Sequence, residues 1–217
     1  METETSDALE GLERFRNIKR LHNHWSRPAG PRSYYWYLTF ENYPELHSLA
    51  EECQRAISFP YYDLVPTPDL HLTLDRIAPD RNIAPERLDA IESAAMRACG
   101  EISPFDCTIG FLGGTRGAIG FTAYPARPIR ELRDTLRAAT LSVYSNAHVK
   151  SSEFYPHVAI AYANSDNIPA AEVIAVVERL NSSAHVSVTV THGTLVLLER
   201  HPRSYAWRAV SRVPLAR

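Results

Sequence analysis

The sequence predicts an α+β protein built from two similar lobes, each containing strands and helices. Short runs rich in aromatic and β-branched residues are typical of strands. Between them lie segments with apolar residues at three- and four-residue steps, which are typical of helices. A strand with a histidine, a helix and two hairpin-like strands occur after residue 69 and again after residue 154. This repeated order predicts two lobes related by a pseudo-twofold axis.

The elements follow one another along the chain. Residues 7–25 predict a helix from the spacing of their apolar residues, and a segment rich in Pro and Gly then breaks the chain. We therefore expect residues 1–31 to be an N-terminal helical extension and residues 32–217 to form a single bilobal domain. Strands are expected at 33–41, 69–77, 105–112, 118–124, 154–162, 186–198 and 205–213, and helices at 44–57, 85–99, 128–147 and 169–180.

Composition is typical of a globular protein. Of the 217 residues, 45% are hydrophobic and 22% are charged, and the formal net charge is −2. This charge does not indicate the extended basic surface that nonspecific binding to nucleic acid requires. The acidic N-terminus, with no apolar run near ~18 residues, predicts a cytoplasmic protein that does not cross a membrane. Cys53, Cys99 and Cys107 form no CxxC pair and are expected to be buried, reduced thiols.

The chemistry is expected at the His-Leu-Thr-Leu segment of residues 71–74. Side chains alternate along a strand, so His71 and Thr73 share one face. An imidazole beside a hydroxyl can bind a phosphate oxygen and transfer a proton. A second histidine, His157, lies in a similar strand. If the pseudo-twofold axis brings the two strands face to face, the imidazoles form an acid/base pair that needs no metal.

Two further histidines compete for the role of partner to His71. His185 and His192 also precede a hydroxyl by two residues. They lie near the start and the middle of the one strand predicted at 186–198, with their side chains on opposite faces, so at most one reaches a cleft. The internal repeat matches this strand to the first hairpin strand, not to the His71 strand. Topology therefore favours His157, with His185 or His192 as the alternative.

Three other motifs have simple interpretations. His22 and His24 end the predicted N-terminal helix, where an interaction with the helix dipole is favoured over a metal site. The glycine-rich segment 113–117 lacks the spacing of a phosphate-binding P-loop and is expected to be a hairpin turn. The aromatic run at 34–37 is expected to face the core on one side and the surface on the other.

Residues 33–214 resemble the two-histidine (2H) phosphoesterase superfamily, and within it the 2′-5′ RNA ligase family. The resemblance rests on His71-Leu-Thr73-Leu and Pro-His157-Val-Ala-Ile, which are similar to the family's twice-repeated His-x-Thr/Ser-x. It implies two α+β lobes whose antiparallel sheets form a V-shaped central cleft. It also implies metal-independent opening of 2′,3′-cyclic phosphates, no cofactor, and a small phosphorylated nucleotide or RNA end as partner. Some members join RNA ends through 2′-5′ bonds.

The resemblance implies catalysis by His71 and His157 and phosphate binding by Thr73. Ala159 stands at the substrate-binding position where the family has Thr or Ser, and a methyl group cannot donate a hydrogen bond. One hydrogen bond to a charged group is worth about 1.5–3 kcal/mol, so this loss weakens the site without abolishing acid/base chemistry. Tyr155 is a candidate to bind the substrate and replace the hydrogen-bond donor that Ala159 lacks. The alternative is that Tyr155 forms a wall of the cleft without contacting the phosphate.

Three functions remain open from the sequence. The first is a metal-independent phosphodiesterase acting on a cyclic phosphate. The second is a protein that binds a nucleotide or RNA end without turnover, as loss of the second hydroxyl indicates. The third is an enzyme of the same fold that acts on a non-phosphate metabolite, with the aromatic strand as its binding surface.

Overall fold

The computed structural model describes residues 11–149, 153–181 and 185–216. Within these ranges, nine strands form two antiparallel sheets with helices packed on them, so the predicted fold class is confirmed. The strands are β1 (Ser33–Thr39), β2 (Tyr62–Leu64), β3 (His71–Pro79), β4 (Phe105–Thr115), β5 (Ala118–Tyr124), β6 (His157–Ala163), β7 (Val186–Val190), β8 (His192–Arg200) and β9 (Tyr205–Pro214). The helices are α1 (residues 11–16), α2 (Pro44–Ala56), α3 (Pro85–Cys99), α4 (Ala126–Val143) and α5 (Ala171–Leu180).

The two sheets have related strand orders. Sheet one runs β3-β1-β8-β9 and sheet two runs β2-β6-β5-β4-β7, with antiparallel neighbours throughout. Apart from the added edge strand β2, the two histidine strands, β3 and β6, occupy equivalent positions, as the repeat predicted. Each sheet is nevertheless completed from the other half of the sequence, because the β4–β5 hairpin pairs with β6 and the β8–β9 hairpin pairs with β1.

The strand predicted at 186–198 is in fact two strands, β7 and β8, which belong to different sheets. A single residue, Thr191, separates the two strands, and threonine itself favours strands, so the sequence hid the break. The inference that His185 and His192 lie on one strand was therefore wrong. His185 precedes β7 and His192 begins β8.

The N-terminal helix ends at residue 16, nine residues earlier than predicted. Beyond it the chain runs irregularly across sheet two, where the backbone N–H of His24 donates to the carbonyl of Ala163 at 2.8 Å. Tertiary hydrogen bonds thus replace the helical ones. Apolar residues of the predicted helix still pack in the main core, both within α1 and beyond it: Leu12, Phe15 and Leu21. Residues 7–10 of the predicted helix lie outside the described residues.

Helix α4 is fixed to the centre of sheet one by polar contacts. The Nε1 of Trp36, which is fully buried on β1, donates to Thr140 Oγ1 at 3.0 Å. The carboxylate of Asp75 on β3 pairs with Arg137 Nε at 2.6 Å. These contacts hold α4 beside the His71 strand. None of the helices in the described ranges is long and apolar enough to cross a membrane. The three cysteines are free and buried, as expected.

The glycine-rich segment 113–117 is part of a hairpin, as predicted, but the turn itself consists only of Arg116 and Gly117. Gly113 and Gly114 lie inside β4. A Cβ on Gly114 would come within 3.0 Å of the ring of Phe15. The missing side chain therefore lets α1 pack directly on the hairpin.

Candidate active site

A cavity of about 460 Å³ lies between β3 and β6. His71, Thr73, Tyr155 and His157 all line it. Four of the five site residues predicted from the sequence are thus brought together at one concave surface. Neither His185 nor His192 is among the described residues that line it.

The two histidines are held in the same way. The Nδ1–H of His71 donates to the carbonyl of Asp69 at 2.8 Å, and the Nδ1–H of His157 donates to the carbonyl of Tyr155 at 2.8 Å. A carbonyl only accepts, so the proton of each neutral ring lies on Nδ1 and the lone pair on Nε2. Each Nε2 can therefore act on a ligand in the cavity. The contribution of the Tyr155 carbonyl was not predicted from the sequence.

His71 lies in an aromatic environment. The ring of Tyr37 stacks on it at 4.2 Å between centroids, with 6° between the planes. Trp207 meets it edge-on and donates from Nε1 to the same Asp69 carbonyl at 3.3 Å. Burial lowers the pKa of His71 to about 4; the hydrogen bond to Asp69 opposes this shift, and nearby His157 adds to it. His71 is therefore neutral at pH 7, whereas His157 is exposed to solvent.

Each histidine strand carries a β-bulge three residues after its histidine. Leu74 is the extra residue of β3 against β1, and Ile160 is the extra residue of β6 against β5. The carbonyl of Leu74 accepts from Arg133 Nε at 3.1 Å, and that of Ile160 accepts from Gln54 Nε2 at 2.9 Å. Side chains from neighbouring helices thus reach both bulged carbonyls, and that of Ile160 also accepts from the backbone N–H of Val65 at 2.9 Å.

The bulge at Ile160 changes which side chains of β6 face the cavity. Strict alternation from His157 places Ala161 on its face, but the extra residue moves Tyr162 there instead. Ala161 is fully buried. Tyr162 was therefore missed by sequence analysis, since the alternation pattern contains no sign of the bulge.

The prediction that Ala159 binds substrate is not supported by its position. Ala159 is 9% exposed and is not among the described residues that line the cavity. It pairs with Gly120 on β5, where the strands approach so closely that a Cβ on Gly120 would lie 2.9 Å from the Ala159 Cα. Thr122, directly opposite His157 in the β5–β6 ladder, does line the cavity. Cross-strand partners share one face of a sheet, so a hydroxyl still accompanies His157.

Thr73 places the first motif hydroxyl in the cavity. It lies opposite Tyr37 in the β1–β3 ladder. Burial raises the pKa of Tyr37 well above its ordinary value, so the phenol stays protonated at neutral pH. In the aromatic run at 34–37, Trp36 faces the core as predicted, whereas Tyr35 and Tyr37 line the cavity.

His24 is a third histidine at the cavity and was assigned a different role from the sequence. Its ring stacks on Tyr162 at 4.2 Å, and Nε2 lies 2.8 Å from the hydroxyl of Tyr205. Burial, with a smaller effect of the Arg200 charge, lowers the pKa of His24 to about 4. Because the helix ends before it, the predicted helix-dipole interaction was wrong. His22 instead pairs with Asp166 at 2.8 Å.

The cavity also contains basic side chains. Arg14 from α1 and Arg130 and Arg133 from α4 line it, whereas Glu153 is the one Asp or Glu among the described residues that do so. In the described ranges, no three His, Cys, Asp or Glu side chains are grouped in a way that could hold a metal ion. The site therefore combines imidazoles, hydroxyls and guanidinium groups, which suits an anionic ligand.

The chain was compared with known proteins. A sequence model of the 2′-5′ RNA ligase superfamily matches residues 42–202. TT0787 of Thermus thermophilus is 19% identical, with a TM-score of 0.64 over 84% of this chain and 97% of that one. E. coli LigT, in its 3′-AMP complex, is 19% identical, with a TM-score of 0.63 over 87% and 100% of the two chains.

These structural similarities show a shared fold. No curated protein sequence matches the chain. The sequence model, however, covers more than half of the 217 residues, and its match includes both histidine motifs. The chain therefore belongs to the 2′-5′ RNA ligase superfamily, a group of two-histidine phosphoesterases.

Proposed function

We propose that this protein is a metal-independent phosphodiesterase that hydrolyses a 2′,3′-cyclic phosphate on a nucleotide or an RNA end. The observation that carries the proposal is the pair of histidines on twin strands, each with Nδ1 bonded to a carbonyl and with both rings lining one cavity. E. coli LigT, which shares the fold, has been crystallised with 3′-AMP, ATP and NADP+, which supports a nucleotide as the ligand. The cytoplasmic location stays a prediction.

The two histidines take different roles in this mechanism. His71, which burial keeps neutral, removes a proton from water through Nε2 as the water attacks phosphorus. His157, which is exposed to solvent, acts in its imidazolium form and gives its Nε2 proton to the leaving ribose oxygen in this proposal. One P–O bond forms, one breaks, and the product is a nucleoside monophosphate. The protons then redistribute through solvent to restore the starting state.

The hydroxyls of Thr73 and Thr122 complete the site in this proposal. Each lies beside a histidine and can donate to a nonbridging phosphate oxygen, whose negative charge grows in the transition state. Thr122 thereby supplies the donor that Ala159 lacks. Tyr155 contributes its carbonyl to His157, and its ring forms a wall of the cavity.

Incubation with adenosine 2′,3′-cyclic phosphate in the presence of EDTA tests the function. We expect release of a nucleoside monophosphate, detected by chromatography, at a rate that EDTA does not change. Tight binding without product would instead favour a nucleotide-binding protein without turnover. That alternative was based on Ala159, which replaces the second motif hydroxyl. If the protein neither binds nor hydrolyses any phosphorylated nucleotide, the result would favour an enzyme that acts on a non-phosphate metabolite.

The pKa of His71 predicts the acid side of the pH–rate profile. A base with an ordinary imidazole pKa of about 6.5 loses activity below that pH. Burial lowers the pKa of His71 to about 4, so His71 stays unprotonated and active down to that region. We expect kcat/KM to remain high as the pH falls from 6.5 and to decline only near pH 4. An acid limb centred at pH 6.5 or above contradicts the assignment of His71 as base.

Thr122 and Ala159 allow a paired test of the second hydroxyl. We expect Thr122→Val to lower kcat/KM about 10- to 100-fold, the cost of one hydrogen bond to a charged group. Val keeps the shape and β-branching of Thr, so the strand is preserved. Thr189→Val serves as the control, because Thr189 is an exposed β7 residue outside the cavity. Unchanged kinetics in Thr122→Val would show that this hydroxyl does not contact the phosphate.

A further inference from the structure

Two of the three arginines of the cavity are held in place by the segments that carry the catalytic groups. The guanidinium of Arg14 lies over the ring of Tyr155, 3.7 Å from its centroid. Arg133 donates to the carbonyl of Leu74 at 3.1 Å and lies over the ring of Phe154 at 4.6 Å. Arg133 is only 8% exposed and lines the cavity, and its guanidinium also lies 3.6 Å from the carboxylate of Asp134.

A single face of α4 provides two of these arginines. Ala126, Arg130 and Arg133 are spaced by four and three residues, which places them on one side of a helix, and all three line the cavity. One turn further on, Arg137 pairs with Asp75 of β3. This buried pair fixes the orientation of the whole arginine face against the His71 strand.

Two groups of side chains accompany the histidines in the cavity. Arg133 contacts Leu74 on the strand of His71, and Arg14 contacts Tyr155, which precedes His157 by two residues. Tyr162, five residues after His157, instead contacts the rings of His24 and Tyr205. Arginine side chains and stacked aromatic rings thus line the same cavity as the histidine pair.

We propose that Arg14 and Arg130, with Arg133 behind them, form a subsite for a second phosphate of the substrate, separate from the phosphate that reacts at the histidines. The inference rests on the proposed function and extends it to a substrate class: nucleotides or RNA ends that carry a phosphate in addition to the cyclic one. Arginine suits this task, because its guanidinium forms paired hydrogen bonds with phosphate oxygens. The cyclic phosphate itself has a single negative charge and does not require three arginines.

Binding of two product-like nucleotides tests the subsite without relying on turnover. We expect adenosine 3′,5′-bisphosphate to bind at least tenfold more tightly than adenosine 3′-monophosphate in calorimetry with the full chain. The double variant Arg14→Gln/Arg130→Gln should lose at least tenfold in affinity for the bisphosphate and less than twofold for the monophosphate. Arg127→Gln is the matched control, because Arg127 lies on α4 outside the cavity and pairs with Glu131.

The outcomes separate this inference from the proposed function. Equal losses for both nucleotides, or no preference for the bisphosphate in the unaltered protein, overturn the subsite even if cyclic phosphate is hydrolysed. A preserved preference without any hydrolysis supports the subsite and rejects the phosphodiesterase. If neither nucleotide binds, the subsite and the proposed function are both rejected. A folded state for each variant is confirmed by its circular dichroism and melting temperature.

A kinetic comparison identifies where the second phosphate comes from. One substrate is adenosine 5′-phosphate 2′,3′-cyclic phosphate, and the other is a dinucleotide that ends in a 2′,3′-cyclic phosphate. A larger loss of kcat/KM in Arg14→Gln/Arg130→Gln for the first assigns the subsite to a free nucleotide. A larger loss for the second assigns it to the last phosphodiester of an RNA end. No loss for either substrate overturns the proposal.

Discussion

Replacement of His71 or His157 by alanine is expected to lower kcat for 2′,3′-cyclic phosphate hydrolysis by about 10²–10⁴-fold. Each variant removes one of the two proton transfers, and a positioned acid or base contributes about that much. His71→Ala removes the base that burial keeps neutral, and His157→Ala removes the acid on the exposed side of the cavity. Steady-state kinetics on adenosine 2′,3′-cyclic phosphate, with the fold checked by circular dichroism, provide the measurement.

His192→Ala is the control for these variants, because His192 also precedes a threonine by two residues but lies outside the cavity. We expect its kinetics to match those of the unaltered protein. The double variant His71→Ala/His157→Ala should lose far less than the product of the single losses, since residues acting as a unit are not additive. Retention of more than a tenth of the activity in either single variant contradicts the acid/base roles.

Arg137→Met is expected to lower the free energy of unfolding by about 3 kcal/mol, measured by denaturant titration. Asp75, which is 2% exposed, would keep its negative charge inside the protein after losing the Arg137 contact of 2.6 Å. Removing one partner of a buried ion pair costs about 3–5 kcal/mol, and the partial exposure of Arg137 favours the lower end. Arg137→Met also loosens the attachment of α4 to β3, on which the arginine face depends.

Adding Asp75→Asn to Arg137→Met should restore more than half of the lost stability. In the unaltered protein the backbone N–H of Arg76 donates to the Asp75 carboxylate at 2.9 Å. Asparagine removes the buried charge but keeps an oxygen that can accept this hydrogen bond. Arg127→Met, which breaks the exposed α4 pair with Glu131, should leave the denaturation midpoint nearly unchanged, because solvent screens an exposed ion pair. A loss below about 1 kcal/mol for Arg137→Met would show that the pair does not fix α4 to the sheet.

The parts of the site that depend on local pattern were predictable from the sequence. His71 and Thr73 share a face because strand side chains alternate, and the repeated order of elements indicated that His157 faces them. The same logic predicted the hairpin at 105–124 and a core-facing side for the aromatic run at 34–37, which Trp36 provides. For a strand, the signal is the two-residue alternation of side chains, which a few neighbouring residues are enough to reveal.

The parts that depend on packing between distant segments were not predictable. Tyr162 faces the cavity because of a bulge at Ile160, and no residue in the sequence indicates this bulge. Thr122 meets His157 only through the register between β5 and β6. His24 was placed at a helix end because apolar spacing continues past residue 16, although tertiary hydrogen bonds end the helix there. The crossing between β7 and β8 was missed because only Thr191, a residue that favours strands, separates them.

A crystal structure of the protein with adenosine 3′-monophosphate tests the central claim most directly. The proposed mechanism predicts that Nε2 of His71 and Nε2 of His157 both lie within about 2.7–3.2 Å of oxygens on one phosphate group, while both Nδ1 atoms keep their carbonyl partners. A phosphate seated elsewhere in the cavity, or contacted by only one of the two rings, would contradict it.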